Sequence, residues 1–449
     1  MVIPPSRERE TGFNQTGSWS RRWKFLDAMS RHVTAPGVMR ALLTNIFTVW
    51  LLRGSTLICR FLLTIFAVRL LPLDDFGTYG LITAAVATGV YVLGLQFFTF
   101  NLREIASTDD RVRQTCHIRD QLAFHALGYL CFLLLFPVLL FGGGLEINPW
   151  LVILLPAEHL SQEGYRLLVA LSRVRAANAI FFIRSGSWVL LWIAYSWWIK
   201  VPTLQSLCAF WLSGTSVSIA ITVVALRSLP WKQVMKRPVD WAWIRRGLRT
   251  CALYSGIVVF FAVAQYTNRY VLDHSHGAAA VGIFFFFVSM ASPVYTLVEV
   301  GPYSVLQPQL LRLYPGQLGE YRNKLRVLAV GVGLSGLLAT AVVVGITLVY
   351  IHVNARLDLI ANLPAFGWVC AGSLLSCFVL VPQAHLFTLK SDRLMLMINF
   401  ISMLTAVSSS LWWIPRFGVV GAAWSGALTS AVLLVLSTGL ALRQRDLST

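Results

Sequence analysis

The stretch LLTNIFTVWLLRGSTLICRFLLTIFAVRLL, residues 42–71, is an apolar run interrupted near its middle by Arg53 and Arg60. About 20 apolar residues suffice for an α-helix to cross the hydrocarbon core of a bilayer. The chain therefore predicts an all-α polytopic membrane protein with about 12 transmembrane helices. The eighth run contains three prolines and is predicted to be kinked or broken. The predicted spans are 42–71, 77–101, 121–142, 148–170, 176–199, 203–226, 250–272, 279–311, 327–351, 364–389, 394–414 and 418–441.

The composition indicates a membrane protein. Of 449 residues, 57% are hydrophobic and only 12% are charged, with a mean hydropathy of +0.68. Soluble domains carry about 25% charged residues, and the apolar content excludes a disordered chain. The net charge of +18 is spread between apolar runs, which argues against nucleic acid as a partner. The seven cysteines form no CxxC pair and are predicted to be small core residues.

The 37 lysines and arginines predict the orientation of the spans. With the N-terminus in the cytoplasm, 28 of them fall in cytoplasmic segments and five lie within spans. Only four fall on the opposite side, namely Arg69, Lys200, Arg356 and Arg416. This positive-inside distribution predicts an even number of spans and places both termini in the cytoplasm.

The spans are predicted to form two six-helix lobes around a central cavity. The predicted parts are a cytoplasmic basic tail 1–41, an N-terminal lobe 42–226, a cytoplasmic basic linker 227–249, a C-terminal lobe 250–442 and a cytoplasmic C-terminus 443–449. The linker lies on the inner leaflet as an interfacial helix, or it is a solvated connection. Two similar stretches, Arg69–Tyr79 and Arg269–Phe284, indicate a weak internal repeat, as in two-lobed transporters with parallel repeats.

Charged residues inside the spans are the candidates for function, because an arginine at the bilayer centre costs about 2.5–3.5 kcal/mol on insertion scales. Arg53 and Arg60 are seven residues apart and share one face of the first helix. They either line a cavity or form structural pairs. The fourth span carries a polar stripe of five residues, namely Glu158, His159, Gln162, Glu163 and Arg166. In one interpretation Glu163 and Arg166 form an internal pair that holds helices together; in the other the stripe is a proton, cation or substrate site. His159 is interpreted as a hydrogen-bonded core residue.

Further polar residues lie in the fifth, seventh and eighth spans. Arg184 is in the fifth span, Glu299 is near the middle of the eighth, and Arg269 with Asp273 is at the outer end of the seventh, where the two either act or pair with each other. Five arginines in the spans therefore outnumber three glutamates. A lumen of this composition favours an anionic substrate, because a guanidinium binds phosphate or carboxylate oxygens in pairs.

Enzymatic chemistry finds little support in the sequence. There is no Walker motif, nucleophile elbow or HExxH, so no catalytic residue and no cofactor is predicted. Asp273, His274 and His276 resemble a metal site, but a short exposed turn is favoured, and no metal is predicted. Asp74-Asp75 could be the catalytic acidic pair of a membrane glycosyltransferase, and a membrane-embedded polysaccharide polymerase or ligase is a further alternative, although such enzymes need a longer external loop.

Three motifs resemble a known family. Arg69-Leu-Leu-Pro-Leu-Asp-Asp-Phe-Gly-Thr-Tyr-Gly80 resembles the first-loop pattern of the O-antigen and exopolysaccharide repeat-unit flippases. These belong to the multidrug/oligosaccharidyl-lipid/polysaccharide exporter superfamily. Asn268-Arg-Tyr-Val-Leu272 with Val281-Gly-Ile-Phe284 is similar to the family's start of the second lobe, and Phe417-Gly-Val-Val-Gly-Ala-Ala-Trp424 resembles the beginning of its last helix. Asn268 departs from the family's usual aspartate.

The resemblance implies a transporter rather than an enzyme. It would move undecaprenyl-pyrophosphate-linked oligosaccharide across the bacterial inner membrane by alternating access, with H⁺ or Na⁺ counterflow. Its other partners would be membrane lipids, a polysaccharide polymerase and a chain-length regulator. The substrate-binding candidates are then Arg53, Arg60, Arg166, Arg184 and Arg269, and the ion-coupling candidates are Glu158, Glu163, Asp273 and Glu299. A drug or organic-cation antiporter of the same superfamily is the alternative, and it should have an acidic lumen.

Overall fold

The computed structural model describes residues 36–142, 148–199 and 201–446. The chain divides into two compact units, Met1–Gly54 and Ser55–Thr449. Within the first unit, the described residues from Pro36 onward are helical. The basic tail up to residue 35, Lys200 and residues 447–449 lie outside the described residues, so the structure does not address the orientation predicted from them.

All regular structure in the described ranges is helical. Long apolar runs require this, because a helix satisfies its backbone N–H and C=O groups internally where no water is available. The elements are α1 (Pro36–Leu70), α2 (Leu73–Gly94), α3 (Phe97–Ala106), α4 (Arg111–Gly142), α5 (Trp150–Ala170), α6 (Val174–Phe182), a π-helical turn (Ile183–Ser187), α7 (Trp188–Ile199), α8 (Leu204–Leu226), α9 (Trp231–Val234), α10 (Trp241–Val298), a second π-helical turn (Glu299–Tyr303), α11 (Ser304–Leu313), α12 (Leu318–Asn354), α13 (Leu357–Ala361), α14 (Leu363–Thr388) and α15 (Asp392–Asp446).

The described helices account for the predicted number of spans. Among the described residues, nine segments are long and apolar enough to cross a membrane. Two of them, Trp241–Leu313 and Asp392–Gln444, are long enough for two spans and break at the non-helical Gly277 and Gly418. The polar α5 is of spanning length as well and completes the twelve. The all-α, two-lobed fold predicted from the sequence is confirmed.

Two spans depart from regular helices. The predicted kink of the eighth span is confirmed: α10 ends at Val298, and a π-helical turn around Gly301 and Pro302 precedes α11. The predicted span 77–101 is not continuous. It stops at Gly94, and Leu95 and Gln96 adopt left-handed conformations with φ of 41° and 52° before α3 begins.

The two lobes approach most closely where α2 meets the second half of α10. A Cβ atom added to Gly77 would lie 1.8 Å from the carbonyl oxygen of Ala278. A Cβ atom on Gly282 would lie 2.5 Å from the carbonyl oxygen of Leu73. Three residues further along each helix, Gly80 lies against Phe285. The two glycine-aromatic elements of the predicted repeat therefore contact each other.

The linker between the lobes is fastened to α4. The guanidinium of Arg119 forms an ion pair with Asp120 and donates hydrogen bonds to the backbone carbonyls of Val234, Arg237 and Pro238. Asp240 then caps α10 by accepting from the backbone N–H of Trp243. The basic linker is thus held by backbone recognition, and its residues 231–234 form one short helix.

We expect Gly77→Ala to destabilise the protein by about 1–3 kcal/mol, because the new methyl group overlaps backbone that has no rotamer with which to yield. Thermal unfolding in detergent micelles would measure the loss. Gly345→Ala is the matched control, since a Cβ atom there meets nothing within 4 Å and alanine favours helix over glycine. Equal melting temperatures for Gly77→Ala and the natural protein would contradict the close contact.

Candidate functional site

Arg60 lies in the middle of α1, and its side chain is exposed. It is nevertheless within electrostatic reach of Arg184, Glu158 and Tyr79 of its own lobe and of Tyr266 on α10. An accessible side chain with neighbours from both lobes faces an opening between them, not the outer surface of a bundle. We call this opening the inter-lobe cleft.

Arg184 and Glu158 form an ion pair beside Arg60. Arg184 Nη1 lies 3.3 Å from Glu158 Oε1, and the two side chains are 7% and 15% exposed. Trp211 Nε1 and Thr215 Oγ1 donate to the other carboxylate oxygen at 3.4 and 3.1 Å. Arg184 sits in the first π-helical turn, a feature that is frequent at functional sites. Glu158 therefore neutralises Arg184 and is itself held by fixed donors.

The Arg60 guanidinium has neither a hydrogen bond nor an ion-pair partner within the part of the chain that the structure describes. Since Glu158 is already engaged by Arg184, this region of the cleft has an excess positive charge. The arrangement favours an anion that reaches Arg60 through water. The cavity-lining interpretation of Arg60 therefore fits its surroundings, whereas Arg53 lies in the first unit and is exposed.

Glu163 and Arg166 form the internal pair that the sequence suggested. Arg166 Nη1 lies 2.6 Å from Glu163 Oε1. Glu163 is 1% exposed, whereas the guanidinium of Arg166 lies 3.6 Å above the ring of Phe98 and is within electrostatic reach of Tyr91 and Tyr254. One end of this pair is therefore deep in the lobe, and the other end faces the cleft.

Glu299 lies on the C-terminal side of the cleft and is exposed. Its neighbours are mostly tyrosines, which the sequence analysis did not single out because an aromatic residue in a span usually belongs to the core. Those within electrostatic reach of Glu299 are Tyr91, Tyr295 and Tyr303, and Tyr254 and Tyr266 adjoin them. The cleft thus has a cationic part near Arg60 and a tyrosine-rich part near Glu299.

Arg269 lies in the contact between the lobes and not in the open cleft. Its side chain is buried, Nη1 donates to the carbonyl oxygen of Gly80 at 3.1 Å, and the guanidinium stacks on Tyr266 and Phe285. Asp273, one turn further, is half-buried.

Side chains also bind backbone carbonyls where α12 and the turn that follows it contact α1. Tyr350 donates to the carbonyl of Ile65, and Arg356 donates to the carbonyl of Val68.

One group of possible metal ligands is present among the described residues, and it differs from the one weighed in the sequence. His125, His159 and Glu163 place one ligand atom each within 4.8 Å of one another. His274 and His276 are exposed beside Gly277, as expected for a turn. His125 was missed because α4 carries no second metal-ligating side chain at helical spacing from it; the other two possible ligands come from α5.

No protein-family model matches the chain, and no curated protein sequence matches it. Solved structures do match. A multidrug resistance MATE family transporter of the MOP superfamily in its inward-facing conformation superposes with a TM-score of 0.65 at 12% identity, over 90% of this chain and 96% of that one. The chain has the fold of a MOP superfamily transporter.

Two other structures of this superfamily extend the comparison. The outward-facing conformation of a MATE transporter gives a TM-score of 0.55 at 12% identity, over 89% of this chain and 95% of that one. A MOP superfamily transporter from Pyrococcus furiosus gives 0.54 at 13% identity, over 90% and 92%. That protein is described as having a binding pocket of reverse polarity that suggests a different function. The fold expected from the resemblance is thus supported.

We expect Glu158→Gln to destabilise the protein by about 3 kcal/mol, because it leaves the buried Arg184 charge without its carboxylate. The double variant Glu158→Gln/Arg184→Gln should recover much of the loss. Melting temperatures of the single and double variants form the measurement. As a control, Asp358→Asn opposite Arg356 should cost less than about 1 kcal/mol, since that pair is 3.7 Å apart and well exposed. Additive losses from the two cleft substitutions would argue against the pair.

Proposed function

We propose that the protein is a flippase for undecaprenyl-pyrophosphate-linked oligosaccharide repeat units in the bacterial inner membrane. The observation that carries this proposal is the exposed guanidinium of Arg60 in the inter-lobe cleft, which pairs with no group among the described residues. A pyrophosphate presents closely spaced anionic oxygens, and charge-assisted hydrogen bonds from arginine to such groups are the strong ones. Arg184 lies close enough to join this contact when Glu158 releases it.

The tyrosine-rich part of the cleft suits the saccharide. A tyrosine ring offers an apolar face, and its hydroxyl both donates and accepts a hydrogen bond. Sugar rings present the same combination of C–H faces and hydroxyl groups. The pyrophosphate would thus lie near Arg60 and the sugars towards Tyr254 and Tyr303, while the polyprenyl chain remains in the bilayer.

Alternating access accounts for transport. The contacts at Gly77–Gly282 and Arg269–Gly80 hold the lobes together at the end where α2 begins. The higher TM-score against an inward-facing than an outward-facing transporter supports closure at that end. Opening requires these backbone contacts to break while the cleft closes elsewhere. The N- and C-termini would be cytoplasmic, and a polysaccharide polymerase and a chain-length regulator would act on the product.

Ion coupling by H⁺ or Na⁺ is part of the proposal. Glu158, Glu163, Asp273 and Glu299 are its candidate carboxylates, and they differ in surroundings. Glu299 is exposed, Asp273 is half-buried, Glu158 is paired with Arg184, and Glu163 is buried among several polar groups. Asn268, where the family's usual residue is an aspartate, is buried beside Arg269 and carries no charge to couple.

A drug or organic-cation antiporter is the second candidate. Glu299, exposed among tyrosines, offers the carboxylate and aromatic faces that attract an organic cation. Multidrug transporters of this fold exist. The pocket of reverse polarity in the Pyrococcus furiosus protein supports the view that this scaffold serves substrates of different charge.

We expect Arg60→Ala to weaken binding of undecaprenyl pyrophosphate about tenfold to a hundredfold, because one charge-assisted contact contributes about 1.5–3 kcal/mol. Binding is measured on the purified protein in nanodiscs, and flipping of a fluorescent lipid-linked oligosaccharide in proteoliposomes. Arg416→Ala removes the same charge from an exposed site on α15 and should change neither quantity. Equal losses of binding and flipping in both variants would show that only the change in net charge matters.

The two candidate functions differ in how they respond at Glu299. For a flippase, Glu299→Gln removes a like charge near the anion and leaves binding of undecaprenyl pyrophosphate unchanged or tighter. For an antiporter, the same substitution abolishes binding of a tetraphenylphosphonium probe. Binding of that cation to the natural protein, lost in Glu299→Gln but retained in Arg60→Ala, would favour the antiporter over the flippase.

A further inference from the structure

A dry polar cluster lies inside the N-terminal lobe, between α4 and α5. His125, His159 and Glu163 are each no more than 1% exposed, and their ligand atoms lie within 4.8 Å of one another. Two ring nitrogens, His125 Nδ1 and His159 Nε2, are buried without a hydrogen-bond partner. Unpartnered polar atoms in such a site are costly, which indicates that the cluster takes up a further group.

Both imidazole rings face the same carboxylate. His125 Nε2 lies 3.6 Å from Glu163 Oε2, and His159 Nε2 lies 4.0 Å from Glu163 Oε1. His159 is oriented by a 2.7 Å hydrogen bond between its Nδ1 and the hydroxyl of Tyr129. Gln121 Nε2 lies 3.2 Å from His125 Nε2 and also donates to Glu163 Oε2.

The hydrogen bonds show which charge is missing. Asn101 donates to Gln121 Oε1, so the amide N–H₂ of Gln121 is the group that faces His125. This N–H₂ group donates both to His125 Nε2 and to Glu163 Oε2 and so bridges these two acceptors. His159 Nε2 has no hydrogen-bond partner and lies 4.0 Å from Glu163 Oε1. A proton added to the imidazole of His159 places a charged N–H there and gives the carboxylate a cationic partner in the dry site.

Arg166 competes for the same carboxylate. Its Nη1 lies 2.6 Å from Glu163 Oε1, so Glu163 already has one cationic partner. A divalent metal ion would face this guanidinium across the carboxylate. A proton brings only one charge, and the imidazolium N–H that it creates can replace the guanidinium N–H on the same oxygens.

We propose that His125, His159 and Glu163 form a proton-binding site in which the bound proton and Arg166 exchange on the Glu163 carboxylate. The other groups that face the cluster are accounted for: Tyr129 is its remaining titratable neighbour, Asn101 and Phe98 come from α3, and Gly94 comes from α2. The site deepens the proposed function, on which its role in coupling rests, by naming the ion and the groups that hold it.

Two contacts connect the site to the other lobe. A Cβ atom on Gly94 would lie 2.9 Å from His159 Nε2, so the backbone of α2 forms one wall of the site. The next residue, Leu95, begins the left-handed break, and its carbonyl accepts from Ser255 on α10. Arg166, once released, lies on the cleft side near Tyr91 and Tyr254. Protonation of this cluster therefore affects the left-handed break at Leu95 through Gly94, and it affects the cleft through the release of Arg166.

The test observes histidine protonation directly and needs no transported substrate. Solid-state NMR of the full chain, ¹⁵N-labelled at histidine and held in lipid nanodiscs, separates imidazole from imidazolium, and His125→Gln and His159→Gln assign the signals. At the pH where the cluster is half protonated, Glu163→Gln should abolish the imidazolium signal. Arg166→Gln should increase it, because it removes the competing cation. If the cluster only stabilised the fold, the two substitutions would not change the imidazolium signal in opposite directions.

A matched pair elsewhere in the same lobe provides the control. His117 lies 3.9 Å from Glu104, so Glu104→Gln should change only the His117 signal. No change of the His125 and His159 signals in either Glu163→Gln or Arg166→Gln would overturn the proposal. So would stoichiometric binding of Zn²⁺ that is lost in His159→Gln, since it would identify a metal as the occupant.

Transport assays separate this site from the proposed function. If the site couples transport, His125→Gln and His159→Gln should retain downhill flipping of the lipid-linked oligosaccharide but lose its acceleration by a pH gradient. Opposite NMR changes in a protein that flips no such lipid would uphold the proton site and refute the flippase. Flipping with unchanged pH dependence in both histidine variants would overturn the coupling role.

Discussion

The cost of a guanidinium group in hydrocarbon constrains this structure more than any other single interaction. Each arginine described within a span of the second unit meets that cost differently. Arg184 has a carboxylate held by fixed donors, Arg166 has a carboxylate that also faces two imidazoles, and Arg269 has a backbone carbonyl with two aromatic faces. Arg60 has water. Since water can reach it only through an opening, the unpaired arginine and the cleft imply each other.

The same constraint explains why the lobes meet through backbone. Glycine at positions 77 and 80 lets α2 approach α10 so closely that a helical carbonyl, which is already bonded within its own helix, becomes an acceptor for Arg269. A contact of this kind uses only one charge, so breaking it separates no pair of opposite charges. It therefore suits an interface that has to separate during transport better than a buried ion pair does, because breaking such a pair costs about 3–5 kcal/mol.

The sequence predicted the fold because its signals run along the chain: apolar length indicated the spans, prolines indicated the kink at the second π-helical turn, and the glycine-aromatic repeat indicated two lobes. The break at Leu95 and Gln96 was missed because neither residue is a glycine or a proline. The cluster around Glu163 was recognised only in part. His159 and Arg166 share a helix with Glu163, but His125 and Tyr129 come from α4, and spacing along one helix carries no information about a neighbouring one. The functional roles assigned to the arginines and carboxylates remain predictions.

Two carboxylates five residues apart on α5 lie in different surroundings. Glu158 is held by an arginine, an indole and a hydroxyl, and it balances the charge of Arg184 beside the cleft. Glu163 is drier, and two of its neighbours are imidazoles, the side chains whose charge changes most readily in that range. An exchangeable charge is useful only if its release moves something. In the proposed exchange the displaced partner is Arg166, which pairs with Glu163 at one end and reaches the cleft near Tyr254 at the other.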